Sequence, residues 1–310
     1  MDITVAICTW NRSKLLDQTL TRMRTLKLPE QATWELLVVN NNSTDDTDAV
    51  LAAHAPHLPL VKLFEPKQGH SNARNCAIDH ARSDLLIWTD DDVLVEPDWL
   101  AEYLKAATAY PEAGFFGGTV DPWFESDPPQ WVARHLQALE GPFALRRLGP
   151  DVRPLAANEQ VFGANMAFRT DLLRACRFDP ALGRVGTGML SGDETTVIAR
   201  LRAQGQTGVW VGSARVWHFI PSERMTTAYV WKFFHGLGRT DQRLVRHDRT
   251  GPQLFGVPRW MVRRYIAARV RSLLLAPWRG AGWAESYISA AAARGVIDEC
   301  RALAGAEGAR

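Results

Sequence analysis

Four short apolar runs constrain the fold of this chain more than any other feature: ITVAICT (3–9), ELLVVN (35–40), LVKLF (60–64) and DLLIWT (84–89). A strand with one wet face alternates apolar and polar residues. These runs hardly alternate, so both faces of each strand must be buried. The segments between them carry helical signals. Ser13 opens a stretch with Leu15, Leu16, Leu20 and Met23 on one face. Ser43 or Thr44 is placed to cap a helix through about His54, with acids in the first turn where the helix dipole favours them. Residues 69–82 read as a third helix, and Pro97 opens a fourth through about Tyr110. GFFGGTV (114–120) reads as a fifth strand. Alternating strands and helices of this kind predict an α/β fold, a mostly parallel sheet with helices on both faces.

The alternation stops at DPWFESDPPQW (121–131), a Pro-rich excursion. QVFGANMAFR (160–169), a helix from Thr170, the Gly-rich stretch GRVGTGMLSGDE (183–194) and a helix to about Gln204 follow. TGVWVG (207–212) and ARVWHF (214–219) read as two strands. From Thr226 to about Arg279 the pattern is helical and basic, broken near Gly251–Pro252, and a last helix covers about 283–303. The net charge of +2 conceals an asymmetry. Residues 215–279 carry thirteen Lys/Arg against three acids, residues 280–310 carry −1, and −7 is left for residues 1–214. The four cysteines stand far apart, with no metal or disulfide spacing, as in a reducing compartment. The N-terminus shows no basic, apolar leader pattern, and no apolar stretch is long enough to span a bilayer.

In open α/β sheets ligands bind beyond the carboxyl ends of the strands. CTWNR (8–12), NNNSTDDT (40–47) and TDDD (89–92) follow the first, second and fourth strands, and so converge on one candidate site. Asp90, Asp91 and Asp92 repel one another, at about 3–4 kcal/mol per pair for separations of about 4–6 Å and an effective dielectric near 20. In extended backbone Asp90 and Asp92 face the same way and Asp91 the other. A divalent cation between Asp90 and Asp92 would relieve the repulsion; a solvated acidic turn is the alternative. Gly69 opens a helix that carries Arg74 in its first turns, suited to phosphate or to a structural role. Trp10 either stacks on a flat ring or packs under a loop. Asp193 and Glu194 begin a helix after the Gly-rich stretch, as a cap or as a general base. His218, between aromatics, is a core histidine or, if its strand returns to the TDDD edge, a metal ligand.

The order CTWNR, VVNNNSTDDT, GHSNARNCAIDHARSDLLIWTDDDVLVEPDWL, FGANMAFRTDLL, GDETTVIARL resembles the family-2 inverting glycosyltransferases of bacterial type, with the GT-A fold. The resemblance covers about residues 1–205. It implies a GT-A catalytic domain over 1–222, with 1–120 holding a nucleotide sugar and 121–222 an acceptor, followed by a basic helical extension over 223–310. It implies that Asp92 binds the metal (Mn2+ or Mg2+), with Asp90 beside it, and that His218 is a further ligand. Thr9, Trp10, Asn11, Arg12, Asn40, Asn42, Gly69, Arg74, Asp90 and Asp91 fall on the nucleotide-sugar side. The base carboxylate falls on the Asp193–Glu194 pair, where the family's Glu-Asp order is inverted, so Glu194 takes the position of the catalytic acid and Asp193 stays open. Asn40 stands where an acid is usual, which loosens the choice of base. The implied donor is a UDP-sugar, with GDP- or dTDP-sugars as alternatives. The QxxRW signature of processive synthases is absent, which implies transfer of one sugar.

The expected acceptor is a glycan or lipid-linked molecule. The basic, Trp-bearing C-terminal part suits an anionic membrane surface, so the expected place is cytoplasmic, peripheral on the inner face of the plasma membrane. Packing on the acidic N-terminal part is the alternative use of that charge. No nucleic-acid motif is present. A sugar nucleotidyltransferase would share the sheet and the metal, but CTWNR stands where its Gly-rich loop would be. A non-catalytic nucleotide-sugar-binding module would not need the carboxylates that remain here.

Overall fold

The computed structural model describes residues 2–29, 32–183, 192–245, 252–254 and 256–308, so most of the Gly-rich stretch 183–194 lies outside the described residues. In chain order the first elements are β1 (Ile3–Thr9), α1 (Ser13–Met23), β2 (Trp34–Asn40), α2 (Thr47–His54), β3 (Leu60–Phe64), α3 (His70–His80), β4 (Leu85–Asp90), β5 (Val93–Val95), α4 (Trp99–Ala109) and β6 (Ala113–Phe124). They are followed by α5 (Gln130–Arg134), α6 (Glu140–Phe143), β7 (Val152–Pro154), β8 (Asn165–Arg169), α7 (Thr170–Ala175), α8 (Asp193–Ala203) and β9 (Thr207–Ile220). The last are α9 (Thr227–Val245), β10 (Gln253–Leu254), β11 (Val257–Pro258), α10 (Arg259–Leu275) and α11 (Ala281–Gly308). The described residues form two compact units: those up to Trp123 with Ala144–Gly183 and Gly192–Phe219, and Phe124–Phe143 with those from Ile220 onward.

The first unit is built on one mixed sheet in the order β3-β2-β1-β4-β8-β6-β9-β5, with β7 beside β9. β3, β2, β1 and β4 are mutually parallel. β8 runs against both β4 and β6, so β6 points the same way as the first four. Both faces are covered. Ile3, Val5 and Ile7 of β1 join Leu16 and Leu20 of α1 and Trp99, Leu100 and Tyr103 of α4 in one core layer. Ala6, with Leu37, Leu86 and Trp88, joins Ala73 and Ala77 of α3 and Val197, Ile198 and Leu201 of α8 in the other. The continuous apolar runs of β1, β2 and β4 are therefore period-two strands whose alternate residues serve two cores. β3, the edge strand, buries only Leu63, so the expectation of two covered faces fails there.

Three local readings need correction. The helix after β2 starts at Thr47, not at Ser43 or Thr44. Those two are already used: the Ser43 hydroxyl accepts from the Asn11 amide (3.0 Å) and the Thr44 amide donates to Asn11 Oδ1 (2.7 Å). Asp45 turns the chain instead, accepting from the Thr47 amide and hydroxyl through Oδ1 and from the Ser13 amide through Oδ2. Residues 207–220 form one strand rather than two. β6 runs on to Phe124, past the Asp-Pro that reads as a break.

In the second unit α11 packs against α9 and α10. The α9–α11 crossing depends on glycine: a Cβ on Gly238 would meet the Ala292 carbonyl, and one on Gly295 the His235 carbonyl. Arg239 and Arg243 of α9 both donate to buried Glu299 of α11 (2.8 and 2.6 Å). His235 Nε2 and Arg294 Nε both meet Asp298 Oδ2 (2.9 Å each).

Candidate active site

The register places strand ends side by side: Thr9 opposite Asn40, and Cys8 opposite Asp90. The loops that leave them are stitched together. Asn41 donates through Nδ2 to the Glu65 and Lys67 carbonyls (2.9 Å each) and accepts the Gly69 amide through Oδ1 (2.8 Å). Asn40, buried, donates to Asp48 (2.7 Å) and accepts the Ser43 amide (2.8 Å), so its amide spans the loop it begins. Asn11 and Asn42 sit in left-handed backbone (φ 52° and 65°), where Asn costs less than most residues. Gly69, at φ 137°, turns the chain into α3.

β4 ends at Asp90 and Asp91–Asp92 form a turn, so the three aspartates do not alternate as a continuous strand would, and Arg12 Nη1 bridges Asp91 and Asp92. Asp91 turns inward. Its carboxylate accepts from the Thr9 hydroxyl (2.8 Å) and Arg12 Nη1 (3.0 Å), and its carbonyl accepts from the Thr19 hydroxyl (3.0 Å). Burial, with the neighbouring Asp92 charge adding to it, pushes the Asp91 carboxyl up to about 6 despite Arg12. Asp90 and Asp92 draw together instead. After Asp92 the chain enters β5, which pairs with β9 at the far side of the sheet, Val93 opposite His218. The Phe219 amide donates to the Asp92 carbonyl (2.9 Å), and His218 Nε2 lies 3.4 Å from Asp92 Oδ1. One ligand atom from each of Asp90, Asp92 and His218 falls within a 4.8 Å spread. Two carboxylates and one imidazole, with Asp92 and His218 deeply buried, form a donor set that fits a divalent ion. Arg12 Nη1 also reaches Asp92 Oδ2 (2.8 Å) and is held firmly protonated by Asp91 and Asp92.

Arg74 is not on the surface of α3. It is buried, stacked between Trp88 (5.6 Å) and Phe178 (5.0 Å), with Gly163 so close that a Cβ there would strike Nη2. Its Nη1 donates to Asp193 Oδ2 (2.8 Å) and lies 3.9 Å from Glu194 Oε2. His70 Nδ1 is 3.5 Å from the same Asp193 oxygen. Burial works against the Arg74 charge, but Asp193, Glu194 and Asp90, in that order, more than restore it. Arg74 therefore stands in electrostatic reach of both acidic centres. The pair at the start of α8 is unequal. Burial alone would raise the Asp193 carboxyl, but Arg74 and then His70 hold it well below the usual range. Burial, and then the charge of Asp193, push Glu194 up to about 8, although 22% of its side chain remains exposed. A partly exposed carboxyl raised toward neutrality is equipped for proton transfer.

The structure thus brings Thr9, Arg12 and Asp91 into one contact set, Asp90, Asp92 and His218 into a second, and Arg74, Asp193 and Glu194 into a third. Trp10 follows β1, with Nε1 buried and without a hydrogen-bond partner among the described residues. His70, Gly163, Asn41 and Phe178 were not singled out from the sequence. His70 sat beside Gly69 in the GHSNARN stretch and carried a usable signal; the roles of the others arise only from tertiary packing.

A sequence model of glycosyl transferase family 2 matches residues 4–176. The chain is 26% identical over 267 residues to the succinoglycan biosynthesis protein ExoM of Rhizobium meliloti (strain 1021), covering 81% of this chain and 77% of that one. It is 25% identical over 241 residues to a glucosyl-dolichyl phosphate glucuronosyltransferase of Haloferax volcanii, covering 76% and 74%. Among solved structures it resembles the mannosyltransferase PcManGT from Pyrobaculum calidifontis in complex with GDP-Man and Mn2+, with TM-score 0.56, 21% identity, and 99% and 75% of the two chains covered. It also resembles S. aureus TarS 1-349 in complex with UDP-GlcNAc, with TM-score 0.54, 13% identity, and 96% and 91% covered.

Proposed function

This chain belongs to glycosyl transferase family 2, and from that premise we propose that it moves one sugar from a nucleotide diphosphosugar to a hydroxyl of a glycan or lipid-linked acceptor, with inversion. The observation that carries the reading is the pair of unlike acidic centres whose charges both reach Arg74. One is a donor set for a cation, Asp90, Asp92 and His218; the other contains a raised carboxyl, Glu194. Inverting displacement needs a base on one side of the sugar and charge stabilisation of the leaving group on the other.

Asp92, Asp90 and His218 would hold Mn2+ or Mg2+, which when bound neutralises charge developing on the leaving diphosphate. Glu194 takes the proton of the acceptor hydroxyl. Asp193 is committed to Arg74 and His70, which leaves Glu194 as the freer carboxylate. Trp10, with Asn11, Asn40 and Asn42, lines the side for the nucleobase and ribose, and residues 1–120 and 121–222 divide donor from acceptor. The solved relatives with GDP-Man and UDP-GlcNAc support a nucleotide-sugar donor, here a UDP-sugar or, failing that, a GDP- or dTDP-sugar. ExoM, a succinoglycan biosynthesis protein, supports a role in polysaccharide assembly, and the basic, Trp-bearing C-terminal part supports a place at the cytoplasmic face of the membrane.

The test separates binding from chemistry. Thermal shift with UDP-, GDP- and dTDP-sugars, with and without Mn2+, identifies the donor. Glu194→Gln should then keep donor affinity within about twofold and lose about a thousandfold in kcat, the scale of general-base catalysis. Asp92→Asn should instead lose the Mn2+-dependent part of donor binding. Near-normal turnover in Glu194→Gln removes Glu194 as base, and donor binding by Asp92→Asn that still responds to Mn2+ removes the cation site.

A further inference from the structure

α10 presents an apolar stripe to solvent. Ile266, Val270, Leu273 and Leu274 recur at the i, i+4, i+7, i+8 spacing of a helix face that is normally buried, yet all four are exposed. Trp278 continues the stripe, and Leu274 and Trp278 are 68% and 70% exposed. The opposite side of the helix is already used: Met261, Val262 and Tyr265 pack against Ala293, Val296, Ile297 and Cys300 of α11. The outward stripe is therefore not a core face waiting for α11. Its charge is one-signed as well. Arg259, Arg263, Arg264, Arg269, Arg271 and Arg279 lie on or beside the helix, and no Asp or Glu stands between Asp248 and Glu285. Arg269 and Arg279 stack on Trp231 and Trp283. Arg259, Arg263, Arg264 and Arg271 are exposed and make no ion pair among the described residues.

We propose that the outward face of α10, with Trp278, seats this chain on an anionic lipid bilayer, the helix lying in the interface. An apolar stripe flanked by exposed, unpaired arginines matches an interface whose tails are apolar and whose headgroups are negative. Long arginine stems can follow the apolar surface while the guanidinium reaches the headgroups. Self-association through the same face would bring like charges together. Among the described residues no helix is long and apolar enough to cross a membrane, so the contact is one of surface. The inference deepens the membrane part of the proposed function and is independent of the transfer reaction.

The test is co-sedimentation of the full chain with phosphatidylcholine vesicles, with and without phosphatidylglycerol. The wild type should pellet with the phosphatidylglycerol vesicles, and less so as salt rises. Leu274→Glu with Trp278→Glu should lower the partition coefficient about tenfold or more, since it removes apolar burial and adds repulsion. Arg263→Glu with Arg264→Glu should remove the salt-dependent part. Thermal melting and donor binding should be unchanged in both double variants; all substituted side chains are exposed, and none belongs to the candidate active site. Wild type that stays in the supernatant at low salt overturns the proposal, as do variants that pellet like wild type. A dimer seen by analytical ultracentrifugation and broken by Leu274→Glu with Trp278→Glu would reassign the face to a second copy of the chain. Intact donor binding in every arm separates failure of the membrane contact from failure of the transferase reading.

Discussion

The two acidic centres of the first unit use the same chemistry to opposite ends. At Asp90–Asp92 the resident cation is Arg12, whose side chain is 38% exposed. At Asp193–Glu194 it is Arg74, 2% exposed and walled in by Trp88, Phe178 and Gly163. A half-exposed guanidinium on a flexible stem can carry its own charge into water, but Asp91 and Asp92, 6% and 2% exposed, then need another cation in its place. A guanidinium walled in on all sides has no such exit. The first centre is therefore built to exchange one cation for another. The second has a permanent cation, which fixes Asp193 as an anion and, through Asp193, loads the proton onto Glu194.

The sharpest way to break this contrast is to remove each arginine. Arg74→Ala should lose about 3–5 kcal/mol of stability by urea denaturation, the cost of stranding a buried partner. Arg12→Ala should lose less, about 1–3 kcal/mol, since Arg12 itself is partly in water although Asp91 and Asp92 are buried. Equal losses would mean that both cations are structural. The next effect is on proton state. Glu194 acts as base only when ionised, so log kcat/KM should rise with pH and level off above about 8. Asp193→Asn removes the neighbouring charge that helps to hold the Glu194 proton, and should move that limb to lower pH; a limb that stays in place detaches Glu194 from it. Stability runs the other way. A carboxyl whose folded pKa is raised is protonated in the native state while the unfolded chain ionises, so it destabilises the fold increasingly as pH rises from the unfolded value to about 8. Glu194→Gln should accordingly melt higher than wild type at pH 8, by about 2–4 °C for each kcal/mol relieved, with the gain fading toward pH 4.

Much of this unit was readable before any coordinates. β1, β2 and β4 announce themselves because each is buried on both faces; β3, at the sheet edge, reads as a strand from its β-branched and apolar residues although Val61, Lys62 and Phe64 are exposed. The separate roles of Asp91 and of the Asp90–Asp92 pair are foreseen from strand alternation, but the structure reaches them through a turn at 91–92 between β4 and β5. His218 could be read only conditionally: it meets Asp92 because β5 crosses to pair with β9, and no local pattern encodes a pairing between residues 93 and 218. Arg74 shows the opposite limit. Near a helix start it reads as a phosphate donor, and only the packing of Trp88, Phe178 and Gly163 turns its Nη1 toward Asp193. Asn165 is similar. It accepts from Trp99 Nε1 and Tyr103 Oη and donates to the Thr119 and Ala214 carbonyls, tying α4 to three strands from within an FGAN stretch that looks like an ordinary loop. The α2 start departs from the capping pattern for a related reason: Ser43 and Thr44 find partners at Asn11, in the loop after β1, rather than in their own helix.

The smallest expected effect bears most directly on the exchange idea. Arg12 Nη1 occupies Asp92 Oδ2 at 2.8 Å, on the carboxylate that is the centre of the cation donor set. A divalent ion and Arg12 then compete for one group, and binding the ion must weaken or break that pair. Because the ion replaces Arg12 on buried Asp92 and Arg12 regains water, the net competition is about 1 kcal/mol. Arg12→Gln keeps a side chain of similar reach but removes the charge, so Mn2+ should bind this variant up to about fivefold more tightly than wild type in titration calorimetry without nucleotide. The gain should shrink at high salt, where the wild-type pair is already screened. Weaker Mn2+ binding in Arg12→Gln would mean that Arg12 orients Asp92 for the ion rather than competing with it. It would then be a fixed element of its centre, as Arg74 is of the other, and the distinction between the two would rest on burial alone.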